Sequence, residues 1–319
     1  MCGAELMARR AVHSVLDMPL HRFDDTTWAH MFHPEHLGLV DPFIGVDAFH
    51  MPQNSFLPHP LGGMSAAPGR SQASSHRSPQ GEGTPVSAVT QLHDDSPGGV
   101  VNRDSLGDHS VIAPGDLHWT QAGRGIVHEE TPSQPGQPAV GLQIFVNMAR
   151  AHKQSPAGVF KIAGSDMPVW EQDGVRVKVA AGRFRGLASP INGNPAWVTP
   201  VDLLDVRMQA DATFEWPLEH AKNGFVLVLG GTLKSAEHAA TAPQALVLSP
   251  AQRGDAGQGM VMLEAGVQGS HAVCFSGLPL REPVVPYGPF VGNSREDIAA
   301  YARAFQSGAM GELSASFDR

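Results

Sequence analysis

The sequence predicts an all-β protein of two barrel-like halves with a short C-terminal helix, and three observations predict it. Glycine and proline, 35 and 26 of 319 residues, recur between short apolar runs, the punctuation of strands joined by tight turns. Hydrophobic residues make up 42%, enough for a packed core. Strand-like text fills both halves, and a helical stripe comes only near the end.

The elements follow in order. Residues 1–58 read as a polar, histidine-dotted lead-in with the first strands. His30, His33 and His36 lie close together there, but Pro34 interrupts any helix that would set them on one face, so they read as solvated loop histidines. A first barrel is expected over 59–150, with a flexible insertion at 62–86, where Gly, Ser and Pro offer no apolar face that would offset the entropy of ordering. Its strands are expected at 87–92, 110–112, 117–121, 126–130 and 141–147, with a turn at Pro114-Gly115. A second sandwich or barrel is expected over 165–290, with strands at 174–181, 201–208, 225–229, 245–248, 260–263 and 271–275. The helix is expected over 293–308. Asn293 and Ser294 can cap it, Glu296 and Asp297 suit its first turn, and Gly308 is a natural stop. Ile298, Tyr301, Ala302 and Phe305 form its apolar stripe, a docking face against a barrel.

Charge and cysteine content narrow the function. The formal charge is -9, and no basic run tracks a phosphate backbone, which argues against direct nucleic-acid binding. The two cysteines, Cys2 and Cys274, form neither a disulfide framework nor a zinc motif, which suits a reducing cytoplasm. The first 15 residues lack a signal-peptide core, and the longest apolar run, 225–229, is too short to span a bilayer; a soluble, cytoplasmic protein is expected.

His128 and Glu130 carry the chemistry. Residues two apart on a strand face the same way, so these two converge while Glu129 faces the opposite side. On the dry inner face of a barrel they need each other or a cation. His59 could join them from a neighbouring strand, giving the two-histidine, one-carboxylate triad that suits non-heme iron(II). The alternative is a buried His128–Glu130 hydrogen-bonded pair without metal, because His-x-Glu is short and common.

The stretches NRDSLG (102–107), VIAPGD (111–116), WTQAGRGIVHEE (119–130), GLQ (141–143), VN (146–147), PLREP (279–283) and GPFV (288–291) together resemble the pirin family. The resemblance runs from about Asp41 to Phe305 and implies two stacked cupin, or jelly-roll, β-barrels with an iron site in the N-terminal barrel only. It implies Fe(2+) as cofactor, quercetin 2,3-dioxygenase-type activity on a small aromatic, flavonol-like substrate, or a metal- or redox-responsive role as the binding partner of another protein. Three ligands carry over, His59, His128 and Glu130. The fourth position holds Leu61, which has no lone pair to offer a metal. His76, inside the insertion, and His93, after it, are the candidate substitute ligands, and a metal-free relative is the remaining reading. His220, His238 and His271 stand alone, without an HxH or HxE pattern, so the second barrel reads as structural.

Overall fold

A computed structural model of the chain describes residues 9–22, 28–31, 37–51, 86–134, 136–287 and 290–313. It begins with strand β1 (Val12–Asp17), then β2 (Leu20–Arg22), β3 (Trp28–Met31), the short helix α1 (Leu37–Val40) and β4 (Phe43–Met51). There follow β5 (Val86–Leu92), β6 (Val100–Asp104), β7 (His109–Ile112), β8 (Leu117–Gln121), β9 (His128–Pro132), β10 (Ala139–Asn147) and β11 (Gly158–Ile162). The second half contains β12 (Val169–Gln172), β13 (Val175–Ala181), β14 (Arg183–Phe184), β15 (Leu187–Ala188), β16 (Val201–Met208), β17 (Thr213–Glu219), β18 (Asn223–Ser235), β19 (His238–Thr241), β20 (Gln244–Leu248) and β21 (Gln258–Gly277). The hairpin β22 (Val285–Tyr287) and β23 (Phe290–Gly292) then leads to helix α2 (Arg295–Gln306).

The chain divides into two units, and each borrows from the far end of the sequence. One holds the described residues of 1–19, 30–44 and 165–281; the other holds those of 20–29, 45–164 and 282–319. The segment 1–58, expected as a lead-in with first strands, is therefore shared: β1 pairs antiparallel with β20 in the first unit, whereas β2 lies in the second. The stretch expected to close the second barrel up to residue 290 leaves that unit after Arg281.

In the unit of 165–281, a nine-stranded sheet runs β1-β20-β18-β21-β16-β13-β12, with β17 on β21 and β19 on β18. Alternate residues of these strands fill one core, in which Trp216, Phe214, Leu204, Val206, Val226, Val228 and Cys274 are each at most 2% exposed. The segments 260–263 and 271–275, expected as two strands, belong to the single 20-residue strand β21. Residues 266–269 between them are absorbed in a register shift against β18, where Gly231 faces Ser270 and Leu233 faces Ala265.

In the other unit, a seven-stranded sheet runs β11-β8-β5-β10-β4-β3-β2, and a three-stranded sheet runs β7-β6-β9. Met51 and Leu92 of the first sheet share an apolar cluster with Val100 and Ile112 of the second, so the two sheets face each other. Val86, read as the end of the insertion, is instead the first residue of β5, 1% exposed and paired with Asn147. Apolar neighbours decide this: β5 is buried along its whole length. His30, read as a solvated loop histidine, lies in β3, half-buried, with its Nδ1 2.8 Å from the Met18 carbonyl oxygen. Pro34 forbids a helix there but not an extended strand. His33 and His36 lie outside the described residues.

Helix α2 starts as its sequence suggests. The Ser294 hydroxyl accepts from the Asp297 N–H at 3.2 Å, and Glu296 and Asp297 occupy the first turn. Its Ile298 and Tyr301 pack with Val127, Phe290 and Met310, with Ala302 and Phe305 against the same cluster. Among the described residues no helix is long and apolar enough to cross a membrane.

Candidate metal centre

Strand β9 pairs antiparallel with β6 in a register that sets His128 opposite Asp104, Glu129 opposite Arg103 and Glu130 opposite Asn102. Partners across a ladder share a face, and successive residues alternate. The Arg103 guanidinium meets Glu129 at 3.5 Å, both partly exposed, which fixes the outer face. His128 and Glu130 therefore turn inward, and His128 is 3% exposed.

The facing sheet supplies the opposite wall. Gln143 of β10, Thr90 of β5, His118 of β8 and Lys161 of β11 are consecutive ladder partners and form one row across four strands. The Thr90 hydroxyl lies 2.8 Å from both carboxylate oxygens of Glu130 and 3.0 Å from the amide oxygen of Gln143. Burial pushes the Glu130 carboxyl up to about 7, against the Thr90 hydrogen bond, which favours its ionised form.

Asp108 organises the neighbouring part of the interior. It accepts from Lys161 Nζ at 2.5 Å, Ser110 Oγ at 2.6 Å and Asn102 Nδ2 at 3.0 Å. Burial acts to raise its carboxyl, but the donors Lys161, Ser110 and Asn102 outweigh it and hold it at about 2. His118, 1% exposed, sits with Nε2 3.5 Å from Asp108. Burial depresses its imidazole to about 4, so it is neutral near pH 7. Strand β4 adds Asp47, whose carboxyl burial alone lifts to about 7.

Of the candidate ligands, the structure brings together His128 and Glu130. His59, Leu61 and His76 lie outside the described residues. His93 follows the end of β5, where its N–H donates to Val140 and its carbonyl accepts from Ser96 and Gly115. Among the described residues no group of three His, Cys, Asp or Glu side chains gathers at metal-ligating distance. The donors present still fit a divalent cation: an imidazole and a carboxylate share one inward face, and the carboxylate bears a desolvation penalty that a cation would offset.

Thr90, His118, Asn102, Asp108 and Gln143 are not evident as site residues in the sequence. For Thr90 and His118 the signal was a polar residue within a strand buried throughout, β5 and β8. In the other unit, His271 Nε2 lies 3.1 Å from Asp205, His238 lies 3.7 Å from Glu237, and the His220 carbonyl accepts from Arg10. The core of that unit is filled by apolar side chains.

The pirin family model matches residues 85–146 and the pirin C-terminal cupin domain matches residues 203–311. A pirin-like protein of Caulobacter vibrioides is 32% identical over 274 residues, 85% of this chain and 87% of that one. Pirin-like protein 2 of Arabidopsis thaliana is 30% identical over 267 residues, 82% of this chain and 72% of that one. In fold, the chain is similar to a quercetin 2,3-dioxygenase of Acinetobacter baumannii, with TM-score 0.76 and 22% identity over 96% of this chain and 100% of that one. It is also similar to the bacterial pirin YhhW of Escherichia coli in complex with nickel(II), with TM-score 0.58 and 11% identity over 83% and 99%. The strand-rich architecture, its two cupin domains and these matches establish that the chain belongs to the pirin family of bicupins.

Proposed function

We propose that the N-terminal barrel binds a non-heme divalent metal, iron(II), through His128, Glu130 and His59, and that the chain has quercetin 2,3-dioxygenase-type oxidoreductase activity. The observation that carries the reading is the inward pair His128 and Glu130, with a carboxyl pushed to about 7 by burial and held by Thr90. The similarity in fold to a quercetin 2,3-dioxygenase and to a nickel(II) complex of a pirin supports it. Bound iron would supply Lewis-acid and redox chemistry toward dioxygen and a flavonol-like substrate. The chain's own residues do the rest. Thr90 orients the Glu130 carboxylate, Asn102 flanks it on the neighbouring strand, and His128 is itself buried. Three protein ligands leave positions open, so Leu61 weakens the site without closing it.

Elemental analysis of protein purified without chelators, with His128→Ala as control, followed by anaerobic iron loading and a quercetin turnover assay, tests the reading. Stoichiometric iron lost in His128→Ala, with turnover, supports it; full loading without turnover removes the dioxygenase part.

A second reading is a metal- or redox-responsive partner of another protein. Leu106 and Val111, 56% and 61% exposed, favour it, because they lie on the hairpin of the same sheet that carries His128. Partner binding indifferent to metal and redox state would remove the switch.

A further inference from the structure

The last described residues, 282–287 and 290–313, cross back onto the strand that carries His128, and one serine joins the two. Ser105 continues the β6–β9 ladder one step beyond the Asp104–His128 pair. Its N–H donates to the Val127 carbonyl at 2.7 Å, while its hydroxyl accepts from the Val127 N–H at 3.0 Å. The same hydroxyl donates its single hydrogen to the Met310 carbonyl at 2.8 Å. The backbone on both sides of Val127, the residue before His128, is thus tied to the arm through one side chain.

Packing makes the same connection. Val127 is buried in a cluster with Phe290, Ile298, Tyr301 and Met310 of the arm. Gly125, at φ +127°, has no Cβ, and one placed there would lie 2.7 Å from the Met310 sulfur. Gly311, at φ +82°, lets the arm approach Ser105: a Cβ on it would lie 2.7 Å from the Ser105 Cβ. A polar clasp holds the base of the arm. Glu282 accepts from the Arg150 N–H at 2.9 Å and from Asn293 Nδ2 at 3.2 Å, and Asn293 Nδ2 also donates to the Pro283 carbonyl.

We infer that the C-terminal arm is part of the metal centre's scaffold: Ser105 is a positioning residue for His128, and arm docking and metal binding are thermodynamically linked. The inference rests on the metal reading above. A docked arm fixes the Ser105 hydroxyl, which fixes the peptide groups flanking Val127 and so the direction of the His128 side chain. Linkage is reciprocal: if a docked arm tightens metal binding, bound metal tightens arm docking by the same factor.

The test uses the full chain and Ni2+ alone, with Fe2+ titrated separately under anaerobic conditions. In the wild type, Ni2+ should slow amide hydrogen exchange in 295–306. Ser105→Ala and Gly311→Ala, the second acting from the arm side, should each weaken Ni2+ affinity by about tenfold, the range seen for residues that orient metal ligands. Val261→Ala, in the core of the other unit, should lower the unfolding midpoint and leave Ni2+ affinity unchanged, which separates positioning from general destabilisation. Ni2+ binding by the wild type without slower exchange in the arm, or with unchanged affinity in both variants, overturns the linkage and leaves the metal reading standing. A wild type that binds neither metal overturns both. Should either variant fail to fold, the wild-type exchange measurement decides.

Discussion

Thr90 and Glu130 meet across the interior of the N-terminal barrel, the threonine hydroxyl 2.8 Å from each carboxylate oxygen. The hydroxyl has one hydrogen and favours the ionised carboxylate, the form a metal needs. Thr90→Val keeps the shape and removes the donor. A hydrogen bond to a charged group contributes about 1.5 kcal/mol, so Ni2+ affinity at pH 7 should fall by about tenfold. Isothermal titration of Thr90→Val beside Thr90→Ser checks it; equal affinity in all three proteins would show that the hydroxyl does not support the carboxylate.

Glu129 and Glu130 are neighbours in sequence and opposites in consequence. Glu129 pairs with Arg103 on the outer, partly exposed face. Glu129→Ala should cost at most about 1 kcal/mol and leave the bound metal intact. Glu130→Ala should abolish it. Metal content by elemental analysis compares the two, and equal losses would contradict the alternation of faces along β9.

The same alternation explains what the sequence made legible. His128 and Glu130 could be placed on one face from their spacing alone, and most strands from apolar runs between turn residues. Helix α2 was legible from Ser294 through Gly308, because cap, first-turn acids and apolar stripe agree. The long-range partners were not. Nothing local says that Val12 begins a strand beside β20, or that Met310 covers Gly125, because these contacts join segments far apart along the chain. Thr90 and His118 escaped for another reason: one polar residue in a buried strand looks the same in sequence whether it faces a site or a satisfied core partner. Only the ladder partners Gln143 and Lys161 and the facing Glu130 reveal which.

Asp47 makes the apoprotein's stability depend on pH. Burial lifts its carboxyl from 3.8 to about 7, so between those values the folded protein keeps a proton that the unfolded chain has released. The Asp47 contribution is therefore full below pH 3.8, falls as pH rises through the window and is gone above about 7. Glu130, raised from 4.5 to about 7, adds a contribution of the same sign. Asp47→Asn should remove a large part of this fall, and Asp47→Asn with Glu130→Gln should leave stability rising with pH up to about 6.5, because His118, depressed from 6.5 to about 4, contributes with the opposite sign; urea unfolding of metal-free protein between pH 4.5 and 8 checks it. A slope in the double variant equal to that of the wild type would refute the assignment.

Asp108 should be the polar residue of this barrel whose removal costs most. Lys161, Ser110 and Asn102 all donate to it, and Asn102 is fully buried beside Glu130. Asp108→Ala would leave those donors without their acceptor, and breaking such a network costs about 3 kcal/mol. The barrel's unfolding midpoint should then fall by roughly 6 to 12 °C, taking about 2 to 4 °C per kcal/mol. Lys161→Met removes only a half-exposed partner and should cost at most about 1 kcal/mol. Because Asn102 flanks Glu130, Asp108→Ala should also weaken Ni2+ binding, whereas Lys161→Met should leave it near the wild-type value. Calorimetry with metal titration of the two variants distinguishes these outcomes, and an Asp108→Ala protein as stable as Lys161→Met would mean that the buried donors find other partners.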